Sequence, residues 1–293
     1  MNICIVGFGE AGQAIAQGLL ADNAGLALSC FDIKTNDPAT AGAIADAAKA
    51  VGVRNDASLS GALDGADFVV STVTAGSAMQ VAKAVAALGP KVEAFLDMNS
   101  VAPGTKREEA ALLEAAGVPY VDTAVMAPIH PRLHKTPMLL AGPKADALAA
   151  QMADWQMDVR VVGDEVGRAS SIKMLRSVMI KGLEALTAEM GLAAVKSGVE
   201  KEVIASLNAS FPGIDWDQRT AYNLERMATH GIRRAEEMEE VVKTLKDLGI
   251  QPEITEGTVR RQRRFGESDL DLRDSDESLA ERARITIAKM QEC

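Results

Sequence analysis

The feature that most narrows the folds open to this chain is a glycine-rich turn close to its start. An apolar run, Ile3 to Val6, leads straight into Gly7-Phe8-Gly9-Glu10-Ala11-Gly12, and a helical AIAQGLL follows. Each glycine has its own duty. Gly7 permits the tight turn, Gly9 removes a Cβ where a pyrophosphate must approach the backbone, and Gly12 lets the helix sit close to the sheet. The helix N-terminus adds N–H groups and the positive end of a dipole. Asp32 ends the next β-branched run, about twenty residues after Gly12, as the pattern requires. Strand, turn, helix and acid in this order predict a dinucleotide site formed by Gly7, Phe8, Gly9, Glu10, Ala11, Gly12 and Asp32. A carboxylate accepts both hydroxyls of an adenosine ribose and repels a 2′-phosphate, so NAD is expected, with NADP as the alternative because Lys34 stands nearby.

The rest of the first half repeats the same rhythm. Apolar runs at Leu26 to Ile33, Phe68 to Val73, Val92 to Met98, Val118 to Val121, Met138 to Leu140 and Val159 to Val162 alternate with Ala-rich stretches of helical period. That rhythm predicts a parallel sheet covered on both faces. Past residue 162 the charged share roughly doubles and the strand signal ends. Segments 168–196, 217–229, 232–247 and 277–291 carry apolar residues at three- and four-residue intervals. The expected fold class is therefore α/β: a Rossmann-type, doubly wound N-terminal domain (1–162) followed by an all-helical domain (163–293). The acidic stretch 266–278 reads as a solvated connector.

Charge narrows the class of partner. Among 293 residues, 31 Lys and Arg stand against 41 Asp and Glu, a net charge of −10, and such a field repels nucleic acid and anionic lipid. Cys4, Cys30 and Cys293 are odd in number and lack zinc-like spacing, so neither a metal site nor a disulfide framework is expected. With no uninterrupted apolar stretch of membrane-spanning length and no basic, cleavable leader, the expected location is the cytoplasm, away from membranes.

Four segments carry a resemblance along the whole chain: Gly7 to Gly12; Ser71-Thr72-Val73-Thr74; Leu96-Asp97-Met98-Asn99-Ser100-Val101-Ala102-Pro103; and Gly167-Arg168-Ala169-Ser170-Ser171-Ile172-Lys173. In this order they resemble the β-hydroxyacid dehydrogenase family, which includes 3-hydroxyisobutyrate and 6-phosphogluconate dehydrogenases, and within it a less characterised branch. The resemblance implies that Thr72, Val73, Thr74, Asn99 and Ser100 line the nicotinamide side, that Ser100 also meets substrate, and that Lys173 is the catalytic acid/base. It also implies a small carboxylate as substrate and a homodimer built by the helical domain. Two places depart from the family. Its D-A-P-V-S-G-G is replaced by Asp122-Thr123-Ala124-Val125-Met126-Ala127-Pro128, so the Ser-Gly-Gly that holds the substrate carboxylate is missing, and Val125 and Met126 are the candidate substrate contacts here. Ser177 replaces an asparagine that contacts substrate, and a hydroxyl cannot offer the same paired donor and acceptor.

Moving a proton at a secondary alcohol requires a lysine whose pKa falls toward neutral through burial or a neighbouring cation. Lys173, Ser177 and Lys181 lie at i, i+4 and i+8 on one helical stripe, with Arg176 beside it, on what reads as a core-directed face. Spacing alone favours ordinary snorkelling lysines; with the resemblance, Lys173 is the candidate proton carrier, and Ser177 and Lys181 are candidate substrate contacts. Between two strands, Pro128 to Pro137 holds His130, Arg132 and His134, read either as a replacement carboxylate holder or as a solvated loop. His230, just before Gly231, reads as a partner of a helix C-terminus; Arg260 to Arg264 reads as a solvated helix face paired with acids; Ser170 and Ser171 read as helix caps or ligand contacts. The reading these observations support is an NAD(P)-dependent dehydrogenase or reductase of CH–OH groups. The alternatives are an imine reductase-like enzyme and a non-catalytic dinucleotide sensor.

Overall fold

The computed structural model describes residues 1–290, so Cys293 lies outside the described residues. The chain divides into two compact units, Met1–Met174 and Leu175–Cys293.

The first unit is built on one eight-stranded sheet. Its strands are β1 (Asn2–Val6), β2 (Ala27–Phe31), β3 (Arg54–Asn55), β4 (Phe68–Ser71), β5 (Ala94–Asp97), β6 (Tyr120–Val125), β7 (Met138–Ala141) and β8 (Val159–Gly163), in the order β3-β2-β1-β4-β5-β6-β7-β8. Alternation along each strand separates two cores. Ile3, Ile5, Leu28, Phe68, Val70 and Leu96 face one way, toward α1 (Glu10–Asp22), α2 (Ala41–Val51) and α6 (Ala145–Asp154). Cys4, Val6, Val69, Phe95 and Tyr120 face the other, toward α3 (Leu59–Leu63), α4 (Ala78–Leu88) and α5 (Pro103–Ala115). Burial on both faces is why these strands read as continuous apolar runs. All seven runs predicted from sequence form strands. One expectation needs correction: the sheet is not wholly parallel, because β7 pairs antiparallel to β6. β3, two residues long, carries no pattern to read.

The second unit is helical. Helix α7 (Arg168–Ser197) begins in the first unit, and α8 (Glu200–Ser210), α9 (Trp216–Asp247), α10 (Glu253–Gly266) and α11 (Leu279–Met290) follow. His230 and Gly231 do not end a helix; they lie inside α9, and His230 Nδ1 is 3.3 Å from Arg233 Nη2. Gly231 is there for packing. A Cβ on it would lie 2.4 Å from the Gln262 carbonyl and 2.5 Å from the Gly266 nitrogen, so α10 folds back against bare α9 backbone. Close packing here outweighs glycine's poor helix propensity. The acidic connector is not fully solvated either, since Leu270 and Leu272 are buried in the core of this unit with Leu224, Met227, Phe265 and Leu279. The basic run on α10 does pair with acids, Arg261 with Glu189 and Arg263 with Glu239, from α7 and α9.

Candidate active site

Because β1, β4, β5 and β6 are parallel neighbours, their C-terminal ends open on one edge of the sheet. That edge gathers Gly7, Thr72, Asn99 and Val125. It is where an open α/β sheet binds its ligands.

The turn after β1 behaves as its glycines require. Gly7 has φ +89°, and a Cβ there would collide with Thr72 and Val73; a Cβ on Gly12 would lie 2.3 Å from the Gly7 carbonyl. At Gly9 an added Cβ meets nothing within 4 Å, so the space above the turn is open. Gly9 caps α1 without a side-chain acceptor, leaving the first turn suited to an anion. Phe8 contributes backbone alone, since its side chain is buried in the core. Asp32 Oδ2 accepts from Phe8 N (2.7 Å) and Oδ1 from Lys34 N (2.9 Å), which locks the carboxylate beside the turn. Each oxygen retains acceptor capacity for a ribose hydroxyl. The open Gly9 face, the uncapped helix start and this oriented acid fit a dinucleotide.

The neighbouring strand ends are tied to that turn and to one another. Thr72 Oγ1 donates to the Gly7 carbonyl (2.7 Å), and Val73 N donates to Asn99 Oδ1 (2.7 Å). Asn99 Nδ2 in turn donates to Ser71 Oγ (2.9 Å). Thr74 is exposed beside Ser77. Ser100, the next residue of the β5 loop, accepts a 2.5 Å hydrogen bond from Lys173 Nζ. The predicted proton carrier and the predicted ligand loop therefore meet, although they are far apart in sequence. Val125 and Met126 are half-buried at the end of β6, and Met126 N is occupied by the Pro137 carbonyl (2.9 Å).

Beneath this edge lies a charged cluster that the sequence did not reveal. Lys106, on the first turns of α5, is fully buried; its Nζ donates to the Asp97 carbonyl (2.7 Å) and stands 3.0 Å from Asp97 Oδ2 and 3.8 Å from Asp122 Oδ1. Tyr120 Oη donates to Asp97 Oδ2 (2.6 Å) and lies 3.2 Å from Glu109 Oε2. Burial alone would raise the Asp97 carboxyl, but Lys106 and the surrounding hydrogen bonds hold it below the usual range. Burial, then its contact with Asp97, pushes Glu109 up to about 9 and keeps it protonated at neutral pH. Asp122 Oδ2 accepts from Gly167 N, Ser170 N and Ser170 Oγ at 3.0 to 3.2 Å, capping the start of α7. Ser170 and Ser171 also donate to the Gly167 carbonyl, so both serve the helix start.

Other predicted residues stand differently from expectation. Lys181 is buried and paired with Glu237 at 2.5 Å, so its amine is already engaged. Ser177 is buried on the same stripe. The apolar neighbours of that stripe divide: Met174 is buried and Val178 half-buried, whereas Ile172, Leu175, Met179 and Ile180 are exposed. The loop histidines part company. His130 and Arg132 are exposed, whereas His134 is buried against Gly18 of α1, its Nε2 3.4 Å from Asp22 Oδ2, and burial lowers its pKa. His134 is a packing residue and cannot also hold a substrate carboxylate.

Comparison with known proteins bears on the same residues. Residues 2–161 match the NAD binding domain of 6-phosphogluconate dehydrogenase, and residues 194–265 match a domain of unknown function, DUF1932. A conserved hypothetical protein from Sinorhizobium meliloti is 33% identical, with 99% of this chain and 96% of that one covered and a TM-score of 0.74. MTH1747, a protein of unknown function with structural similarity to 3-hydroxyacid dehydrogenases, is 28% identical over 90% of this chain and 96% of its own, with a TM-score of 0.70. A 3-hydroxyisobutyrate dehydrogenase from Mycobacterium tuberculosis shares the fold at 17% identity, a TM-score of 0.73, and coverage of 97% and 98%.

Proposed function

The chain belongs to the β-hydroxyacid dehydrogenase-like family, and from that membership we propose that it interconverts a small β-hydroxy acid and its oxo acid. The observation that carries this reading is the Lys173 Nζ–Ser100 Oγ hydrogen bond of 2.5 Å at the ligand-binding edge of the sheet. A bound nicotinamide dinucleotide supplies or accepts the hydride. Gly7 to Gly12 receive its pyrophosphate and Asp32 its ribose, which favours NAD over NADP. Thr72, Val73 and Thr74, with Asn99, shape the nicotinamide side. Lys173 takes the hydroxyl proton in oxidation and returns it in reduction, while Ser100 fixes the amine and offers its own hydroxyl to the substrate oxygen. Val125 and Met126, at the end of β6, would meet the substrate; Ser177 and Lys181 remain candidate substrate contacts by resemblance alone, and the Lys181 amine is held by Glu237.

The domain division at residue 162 stays part of this proposal, with nucleotide held by 1–162 and substrate and dimer contacts supplied by 163–293. A homodimer is supported by Leu175, Met179 and Leu186, exposed at 44%, 66% and 65% and spaced as an apolar stripe on α7. No described helix is long and apolar enough to cross a membrane, and we place the reaction in the cytoplasm.

The test is a panel of small hydroxy acids with NAD and NADP, run beside Lys173→Ala. Turnover should fall by about 10²–10⁴ in the variant, the usual worth of a general acid/base, with NADH affinity within a few-fold of the parent. Binding without turnover anywhere in the panel would instead identify a sensor.

A further inference from the structure

Lys173 and Ser100 sit on two segments with no covalent reason to stay in register: the loop after β5 and the first turns of α7. We propose that Lys106 is the positioning residue that locks these two segments together, so that the Lys173 amine meets the Ser100 hydroxyl. This role rests on the reading of Lys173 as proton carrier given above.

Lys106 acts on both segments at once. The loop carrying Asn99 and Ser100 runs from Asp97 to the start of α5, and the Lys106 ammonium bonds back to the Asp97 carbonyl, closing that loop at its base. Its contact with Asp97 Oδ2 leaves Oδ1 to accept from Asn99 N (2.9 Å), next to Ser100. On the other side it faces Asp122 Oδ1, a buried oxygen with no hydrogen-bond partner. The second oxygen of Asp122 anchors Gly167, just before α7, and Ser170, one turn before Lys173 and on the same face of the helix. One ammonium thus serves two carboxylates, and each carboxylate fixes one half of the site. Buried ion pairs seldom stabilise a fold more than apolar residues would, and their best-attested use is to specify geometry.

The test compares Lys106→Met with Lys106→Arg, which keeps a cation between the carboxylates. Each is measured for NADH affinity, for kcat and its pH profile, and for the rate at which an acylating reagent labels Lys173 relative to exposed Lys201, read by mass spectrometry. In Lys106→Met, kcat should fall about 10- to 100-fold with a displaced pH profile, and Lys173 labelling should rise at least about 3-fold, while NADH affinity stays within about 3-fold. Lys106→Arg should recover most of both losses. If Lys106→Met does not fold, Lys106→Met/Asp122→Asn removes the surplus charge and should show the same pattern, because the strap to the Asp97 carbonyl is still gone. Unchanged labelling and kcat in a folded variant would overturn the proposal, as would losses of kcat and NADH affinity in equal measure. A parent protein silent on every substrate would defeat the oxidoreductase reading alone; the labelling contrast would still decide whether Lys106 positions Lys173.

Discussion

The two units bury charge in different ways. In the sheet unit, one ammonium, Lys106, sits between Asp97 and Asp122, and a third acid, Glu109, keeps its proton. In the helical unit two cations are matched each with one acid, Lys181 with Glu237 and Arg234 with Glu184, which also accepts from Gln262 Nε2 (2.8 Å), while the buried Arg282 donates to the Ala221 carbonyl (3.0 Å). Balanced pairs of this kind fix how α7, α9 and α10 align. The unbalanced cluster lies under the connections that carry candidate chemistry, and its surplus of acid is answered by a single cation. The pairs in the helical unit therefore bear on packing, whereas under the proposal above the cluster in the sheet unit sets where Lys173 and Ser100 stand.

Substitutions should separate the two arrangements. The largest effect is expected at Lys106→Met, where removal of the shared cation should cost about 3–5 kcal/mol in urea unfolding, as for other broken buried pairs. Arg234→Met should cost less, about 2–3 kcal/mol, because Glu184 keeps its bond from Gln262; turnover should stay within about 3-fold, and a larger loss of activity would erase the contrast between the units. Next comes a pH effect with a definite sign. Glu109 is raised from 4.5 to about 9, so between these values the folded state holds a proton that the unfolded state has lost, and stability falls as pH rises. Glu109→Gln should flatten that slope and gain about 1–3 kcal/mol at pH 8. The smallest effect belongs to His134, whose lowered pKa means that the unfolded state protonates first. Stability should fall by under about 1 kcal/mol as pH drops below about 6.5, and His134→Asn should remove that part of the slope.

How much of this was legible in the sequence depended on whether a residue's role was local. The strands were legible because burial on both faces forces β-branched runs, and Gly7 to Gly12 because a phosphate turn constrains neighbouring positions. The direction of β7 was not, since Met138 to Leu140 is equally apolar whichever way it runs. His230-Gly231 looked like a helix end because nothing nearby in sequence announces that α10 will pack against Gly231. Lys173 stood out through resemblance, and Ser100 came with its loop. Lys106 did not stand out: a lysine just after Pro103 looks like any exposed lysine on a first turn, and its burial is decided by Asp97 and Asp122 arriving from separate strands.

The clasp formed by His134 over Gly18, with Lys135 reaching Asp22 at 2.7 Å, divides the long β6–β7 connection into two kinds of territory. Leu133 to Thr136 is pinned to the far half of α1 and will resist redesign, whereas Ala127, Pro128, His130 and Arg132 are exposed. Substitutions in the stretch before the clasp should therefore be tolerated, and those in the clasp should not.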